Sequence, residues 1–288
     1  MNSSAARAPA PVTSQKILLA AQRLPSTART YRLLSSALSD PDVVVTSIVE
    51  AVRLDGALSA RMIRGANSVI FRRGEPCRSL DDAIVRLGMR EVSRLAGAVV
   101  AERMYASGLP IYGLEGDTLW LNSLTGALAA EHLANQAGAD GRQAYTLGIL
   151  RPVGRLLVQR LALDLNLPKP DSLAPASVRA WELAQLGESV EQLGGRLLRM
   201  WEYPADQDSW LRHVTTPSAH PTRARECALL HVACWAAESL GKGLPFEQGA
   251  WKLDQPTLDQ AGLRETEVLE SLSVIRDTLN RALSTLRG

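Results

Sequence analysis

The chain has 288 residues, 46% of them hydrophobic and 22% charged, with 32 basic side chains against 30 acidic ones. That length can bury a self-sufficient core, and the near-balance of charge excludes both an acidic solvating tail and a strongly basic packaging protein. No apolar run reaches bilayer length, so no spanning helix is expected. Residues 1–15 are small, polar and proline-bearing, without the apolar stretch of a secretory leader, and read as a disordered lead-in. From there the pattern is helix after helix. Asp40-Pro41 pairs a cap with a first-turn proline, and Ile48, Val49 and Val52 form a helical stripe behind it. Val43-Val44-Val45 has strand propensity, but its surroundings favour helix. Leu58, Met62, Ile63 and Ala66 line one face of the next helix. Ser79-Leu80-Asp81-Asp82 has the layout of a capping box with Asp in place of Glu. The helix it opens runs through Ile84 and Leu87 to a stop at Gly88, and a new one carries Val92, Leu95, Val99 and Val100.

Asp117 or Thr118 caps a further helix with Leu121, Leu124 and Leu128 inward, and helices follow at 142–164, 176–186, 188–201 and 222–240. From about Glu265, Leu269, Leu272, Ile275, Leu279, Leu283 and Leu286 recur at spacings of three and four, the clearest amphipathic stripe in the chain. Such a stripe is too apolar to leave in water and is expected to dock on the rest of the molecule, with a dimer interface as the alternative. No period-two segment of useful length occurs. The fold class is all-α, compact, in one or two lobes. The prolines within 167–172 and 215–221 mark turns rather than interdomain linkers.

Chemistry-bearing groups are few. Cys77, Cys227 and Cys234 are too sparse for a disulfide framework and fit a reducing compartment, so a cytoplasmic location is expected. Arginine outnumbers lysine 28 to 4; phosphate contacts would not require avoiding lysine, so nucleic acid is not an expected partner. There is no His-x-x-x-His, Cys-x-x-Cys, phosphate loop or Gly-x-Ser-x-Gly elbow, and Gly194-Gly195 reads as close helix packing. Cys227, His231 and Cys234 fall at i, i+4 and i+7 on one helix face. They could form a soft metal or redox site, but three ligands on one straight helix rarely converge on a tetrahedral ion, which favours a core stripe with one satisfied histidine. Between positions 53 and 94, nine arginines face five acidic residues, which is either an anion-binding surface or a solvated one.

The short motifs Leu24-Pro25-Ser26, Leu33-Leu34, Ser39-Asp40-Pro41, Asp55-Gly56-Ala57-Leu58, Ala66-Asn67-Ser68, Ser79-Leu80-Asp81-Asp82-Ala83-Ile84 and Leu87-Gly88 together resemble, in order and spacing, the HDOD domain. That family is related to HD-type metal-dependent phosphohydrolases of bacterial signalling proteins. The resemblance covers about residues 16–240, leaving 241–288 as a C-terminal helical extension. It implies a helical HD-like fold and a metal site built from a His, an adjacent His-Asp pair and a later Asp. In this chain those positions match Asn122 (in Trp120-Leu121-Asn122-Ser123), Arg151 and Pro152 (in Ile149-Leu150-Arg151-Pro152-Val153-Gly154) and Cys234 (in Val232-Ala233-Cys234). An intermediate His is matched by Val190, and a His pair survives at most as His213.

A divalent ion needs imidazole and carboxylate donors; proline has no side-chain donor and arginine repels a cation. The resemblance therefore implies a site without its metal ligands, no bound cofactor and no hydrolysis. The expected function is a non-catalytic regulatory or protein-interaction module of bacterial signal transduction, acting on a separate signalling protein. The alternative is a sensor that binds a nucleotide or other anion in the former catalytic cleft through Arg151 and Arg155.

Overall fold

Chain order in the computed structural model is helix upon helix over the residues it describes, 12–24, 49–50, 52–53, 55–203 and 205–287. The helices are α1 (Ser14–Gln22), α2 (Gly56–Asn67), α3 (Leu80–Tyr105), α4 (Gly116–Gln136), α5 (Gly141–Leu150), α6 (Val153–Leu165), α7 (Pro175–Leu186), α8 (Val190–Met200), α9 (Ala205–Arg212), α10 (Ala224–Ala237), α11 (Gln255–Ala261) and α12 (Glu265–Arg287). Among the described residues there is no strand, only an isolated bridge between Leu109 and Leu114. No described helix is long and apolar enough to cross a membrane. The Asp40-Pro41 cap, the Val43–Val45 run, Ile48, the Pro25-Ser26 and Leu33-Leu34 motifs and most of the expected lead-in lie outside the described residues.

Local chemistry explains the helix starts. The Asp55 carboxylate accepts from the Ala57 and Leu58 amides, Ser79 Oγ from Asp82, and Asp140 from Arg142 and Gln143, each satisfying donors that an α-helix leaves unpaired. Ser189 and Gln192 close a full capping box on α8. Gly88 interrupts α3 at φ 74° and ψ 160°, a conformation essentially confined to glycine, so the two predicted helices meet there at a kink.

Four expectations need correction. Helix α1 begins at Ser14 with Thr13 as its cap and Val12 buried, so the end of the predicted lead-in is ordered. Helix α4 starts two or three residues earlier than expected, with Glu115 at the cap position and Asp117 inside the first turn; neither Asp117 nor Thr118 is the cap. The segment 142–164 is two helices, because Pro152 has no amide hydrogen to continue α5 and instead stands at the cap of α6. In α12 the inward stripe runs through Val268, Ile275, Leu279 and Leu286, while Leu269 is 48% exposed.

Helix α4 is the central strut. It packs on α5, α10, α12 and α3, and its Trp120 indole donates to the Ala98 carbonyl of α3 at 3.0 Å. Tyr105 and Ser123 hydroxyls both donate to the Ile149 carbonyl near the end of α5, at 2.8 and 2.9 Å. These bonds fix the end of α5, and with it Arg151, against α3 and α4.

Candidate functional site

Four side chains from distant parts of the chain close on the α5–α6 junction. Arg151 follows the last residue of α5, Asn122 projects from α4, Arg155 lies in the first turn of α6, and Glu247 ends a short turn, Pro245–Glu247. The Arg151 guanidinium donates to both Glu247 oxygens at 2.8 and 2.7 Å and also to Asn122 Oδ1. Asn122 Nδ2 in turn donates to the Lys242 carbonyl at 2.7 Å. Arg155 donates from Nε and Nη2 to Glu247 Oε1 at 3.1 and 3.0 Å, and from Nη1 to Glu182 Oε1 of α7 at 2.7 Å. The Tyr112 hydroxyl donates to the same Glu182 oxygen at 2.5 Å. Aromatic faces complete the enclosure: the Arg155 guanidinium carbon lies 4.2 Å from the Phe246 ring centroid and that of Arg151 5.5 Å from Trp251.

All of these charges are buried, so their protonation follows from who faces whom. Burial alone would raise the Glu247 carboxyl, but Arg151 and Arg155 hold it below its usual range. Burial lowers the guanidinium of Arg155, yet Glu247 and Glu182 raise it further, so it stays charged. Burial pushes the Cys234 thiol up to about 12 in spite of the nearby Arg151 charge, leaving it a neutral thiol.

Of the positions that the resemblance assigns to metal ligands, Asn122 and Arg151 touch. Pro152 lines the same small recess as Arg151, and Cys234 lies within electrostatic reach of that arginine. Their donor set does not fit a divalent ion: a guanidinium, a proline, a protonated thiol, and an amide oxygen already accepting from the guanidinium. Arg155, offered with Arg151 as an anion contact, shares the Glu247 carboxylate with it. The recess left at Arg151 and Pro152 is only about 20 Å³. Glu247 and Glu182, the two carboxylates that organise the centre, were not singled out from the sequence. Glu182 stands at helical spacing between Val178 and Leu186 on the buried face of α7, a signal the sequence does carry, whereas Glu247 lies in a short turn with no periodicity to mark which way it faces.

The remaining candidates resolve on proton positions. His231 Nδ1 donates to the Val214 carbonyl at 2.8 Å while Nε2 accepts from the Lys252 amide at 2.9 Å, so the ring is neutral with both nitrogens engaged. Burial raises the Cys227 thiol to about 12. Cys227, His231 and Cys234 form a buried helix face. Ser209 meets His220 at 2.7 Å, but His220 Nδ1 accepts from the Thr222 and Arg223 amides, so Nε2 carries the proton and donates to Ser209. Such an imidazole cannot take a proton from the serine, and no activated nucleophile results. The arginine-rich 53–94 stretch is partly absorbed by pairs, Arg53–Asp81 at 2.8 Å, Arg61–Glu102 at 2.5 Å and Arg94–Glu131 at 2.7 Å.

Comparison with known proteins agrees with the helical architecture. The family model of the HDOD domain matches residues 24–217. The structure is similar to that of an HDOD domain protein of unknown function from Geobacter sulfurreducens, with a TM-score of 0.69, 19% identity, and 93% of this chain and 98% of the other covered. It is also similar to a Marinobacter aquaeolei VT8 protein provisionally described as acting in signal transduction, with a TM-score of 0.66, 19% identity, and 94% of this chain and 64% of the other covered. A third likeness is to a Shewanella amazonensis SB2B protein provisionally described as a phosphohydrolase, with a TM-score of 0.65, 21% identity, and 94% and 98% covered. A curated relative from Treponema pallidum (strain Nichols), named as an uncharacterized protein, is 23% identical over 222 residues. That match takes in 75% of this chain and 42% of the relative, so the chain spans less than half of that protein's length.

Proposed function

The chain belongs to the HDOD domain family, and on that premise we propose that it is a non-catalytic regulatory or protein-interaction module of bacterial signal transduction. The observation that carries this reading is the Arg151–Glu247–Arg155–Glu182 network at the α5–α6 junction. Where the resemblance expects metal ligands, buried cations face buried carboxylates, and the donors that a water-activating ion requires are missing. The provisional description of the Marinobacter protein as a signal-transduction component points the same way, as does the absence of an activated nucleophile among the described histidine contacts. A nucleotide at Arg151 itself is disfavoured by size, since ligand pockets run to roughly 300 Å³ or more and the recess there holds about 20 Å³.

The test is turnover. The purified chain, supplied in turn with manganese, iron and nickel, is assayed on bis(p-nitrophenyl) phosphate and on cyclic dinucleotides. No turnover above metal alone is expected. Turnover that scales with protein and disappears in Arg151→Ala would overturn the reading.

A further inference from the structure

A cleft of about 590 Å³ opens beside the buried network, between α7, the loop at 215–218 and the segment from Ala250 to Gln260. Two exposed cations face it from different elements, Arg179 on α7 and Lys252 ahead of α11, and neither forms an ion pair with a described residue. Thr215, Thr216 and Ser218, three hydroxyl-bearing residues, line it from the 215–218 loop. The acidic member of the lining, Asp254, has its carboxylate turned to the Thr257 amide at 3.0 Å as the cap of α11. That hydrogen bond, and behind it the charge of Lys252, keep it ionised. His231 forms part of the floor and joins two walls, donating to Val214 and accepting from Lys252. A side lobe of about 170 Å³, sharing Arg179, Thr215 and Ala250, runs inward to Trp251 and Phe246 and ends against Arg155, Glu182 and Glu247 of the network.

From this we propose that the cleft binds a small organic phosphate, with Arg179 and Lys252 on its phosphate oxygens and the 215–218 hydroxyls donating to the remainder. A phosphate group is acceptor-rich and anionic, so cations and rotatable hydroxyls on facing walls complement it. The volume suits a molecule the size of a mononucleotide, far larger than inorganic phosphate. Its organic body has apolar surface to rest on at Pro217, Ala250 and Pro256. The phosphate contacts are separate from the buried network, which borders only the side lobe and whose arginines are already matched by carboxylates, and the proposal does not depend on the chain being non-catalytic.

Calorimetric titration of the full chain with AMP, and separately with pyrophosphate, tests the assignment at constant ionic strength. Saturable binding of AMP is expected, weakened at least about tenfold in Arg179→Gln/Lys252→Gln, as loss of charge-assisted hydrogen bonds implies, and unchanged in the surface control Arg281→Gln. Both targeted side chains are exposed and unpaired, so the double variant should melt with the wild type. No saturation by either probe overturns the proposal, as does binding that survives the double substitution. Release of phosphate from bound AMP would overturn the non-catalytic reading and leave the cleft standing.

Discussion

Glu247 accepts hydrogen bonds from two guanidiniums, so removing its carboxylate leaves the buried Arg151 without a counterion and Arg155 with Glu182 alone. Breaking a buried pair from one side costs about 3–5 kcal/mol, well above what an exposed pair contributes. Glu247→Ala should therefore lower unfolding free energy by roughly that amount, and Arg151→Ala by a similar one, read as shifts in urea midpoint. A loss within the noise would mean that the network is not under tension from burial. Two kinds of group make stability fall toward acid, opposed by Glu182, whose carboxyl is raised by burial. Burial holds the His231 imidazole below its ordinary 6.5, so the unfolded chain takes up a proton that the folded chain refuses, and stability falls as pH drops below that value. His132 and His220, also pushed down by burial, add to this fall. The Glu247 contribution is present above the usual carboxylate value of 4.5 and is lost as pH falls through its lowered folded value. His231→Gln keeps a donor and an acceptor but cannot titrate. It should reduce the slope of stability against pH below 6.5 by up to about 1.4 kcal/mol per pH unit, and an unchanged slope would remove His231 from the account.

Two glycines show how helices are ended and how they are brought together, by different physics. At Gly88 an added Cβ would meet nothing within 4 Å, so the cost of Gly88→Ala is backbone strain alone, about 1–3 kcal/mol. At Gly154 an added Cβ would stand 2.2 Å from the Val190 carbonyl oxygen, and the close packing of α6 on α8 cannot survive it unchanged. Gly154→Ala should cost at least about 1–3 kcal/mol and, by shifting α6, disturb Arg155 as well. Thermal melts of the two variants check the costs; a Gly154→Ala protein as stable as wild type would contradict the packing. The Gly88 stop was legible because a glycine after an apolar stripe is a local signal. The close approach at Gly154 was not, since nothing local names Val190 as its neighbour. The same divide separates Asn122, Arg151, Pro152 and Cys234, reached through motif spacing, from Glu247, whose role depends on a turn 96 residues away from Arg151.

Across the whole molecule, the C-terminal helix α12 lies on α4, α2 and α3, so its burial is intramolecular. The heptad-like spacing announced that the helix had an apolar face but misplaced its centre. Val268 is fully buried and Leu269 half in water, because periodicity alone cannot separate adjacent apolar residues once the partner surface sets the angle. Ser271 marks the seam, donating to Gln136 Oε1 of α4 at 3.1 Å and standing 3.1 Å from His132 Nε2. Deleting residues 265–288 would expose the partner surface and remove the burial of Val268, Ile275, Leu279 and Leu286. At about 1.5–3 kcal/mol for each aliphatic side chain, the loss is of order 6–12 kcal/mol. A whole domain is stable by only about 5–15 kcal/mol, so the truncated chain should unfold or aggregate rather than persist as a looser version of the parent. Circular dichroism melts of the full and truncated chains decide it. Retention of a cooperative transition within a few degrees of the parent would mean that α12 rests on the bundle without supporting it.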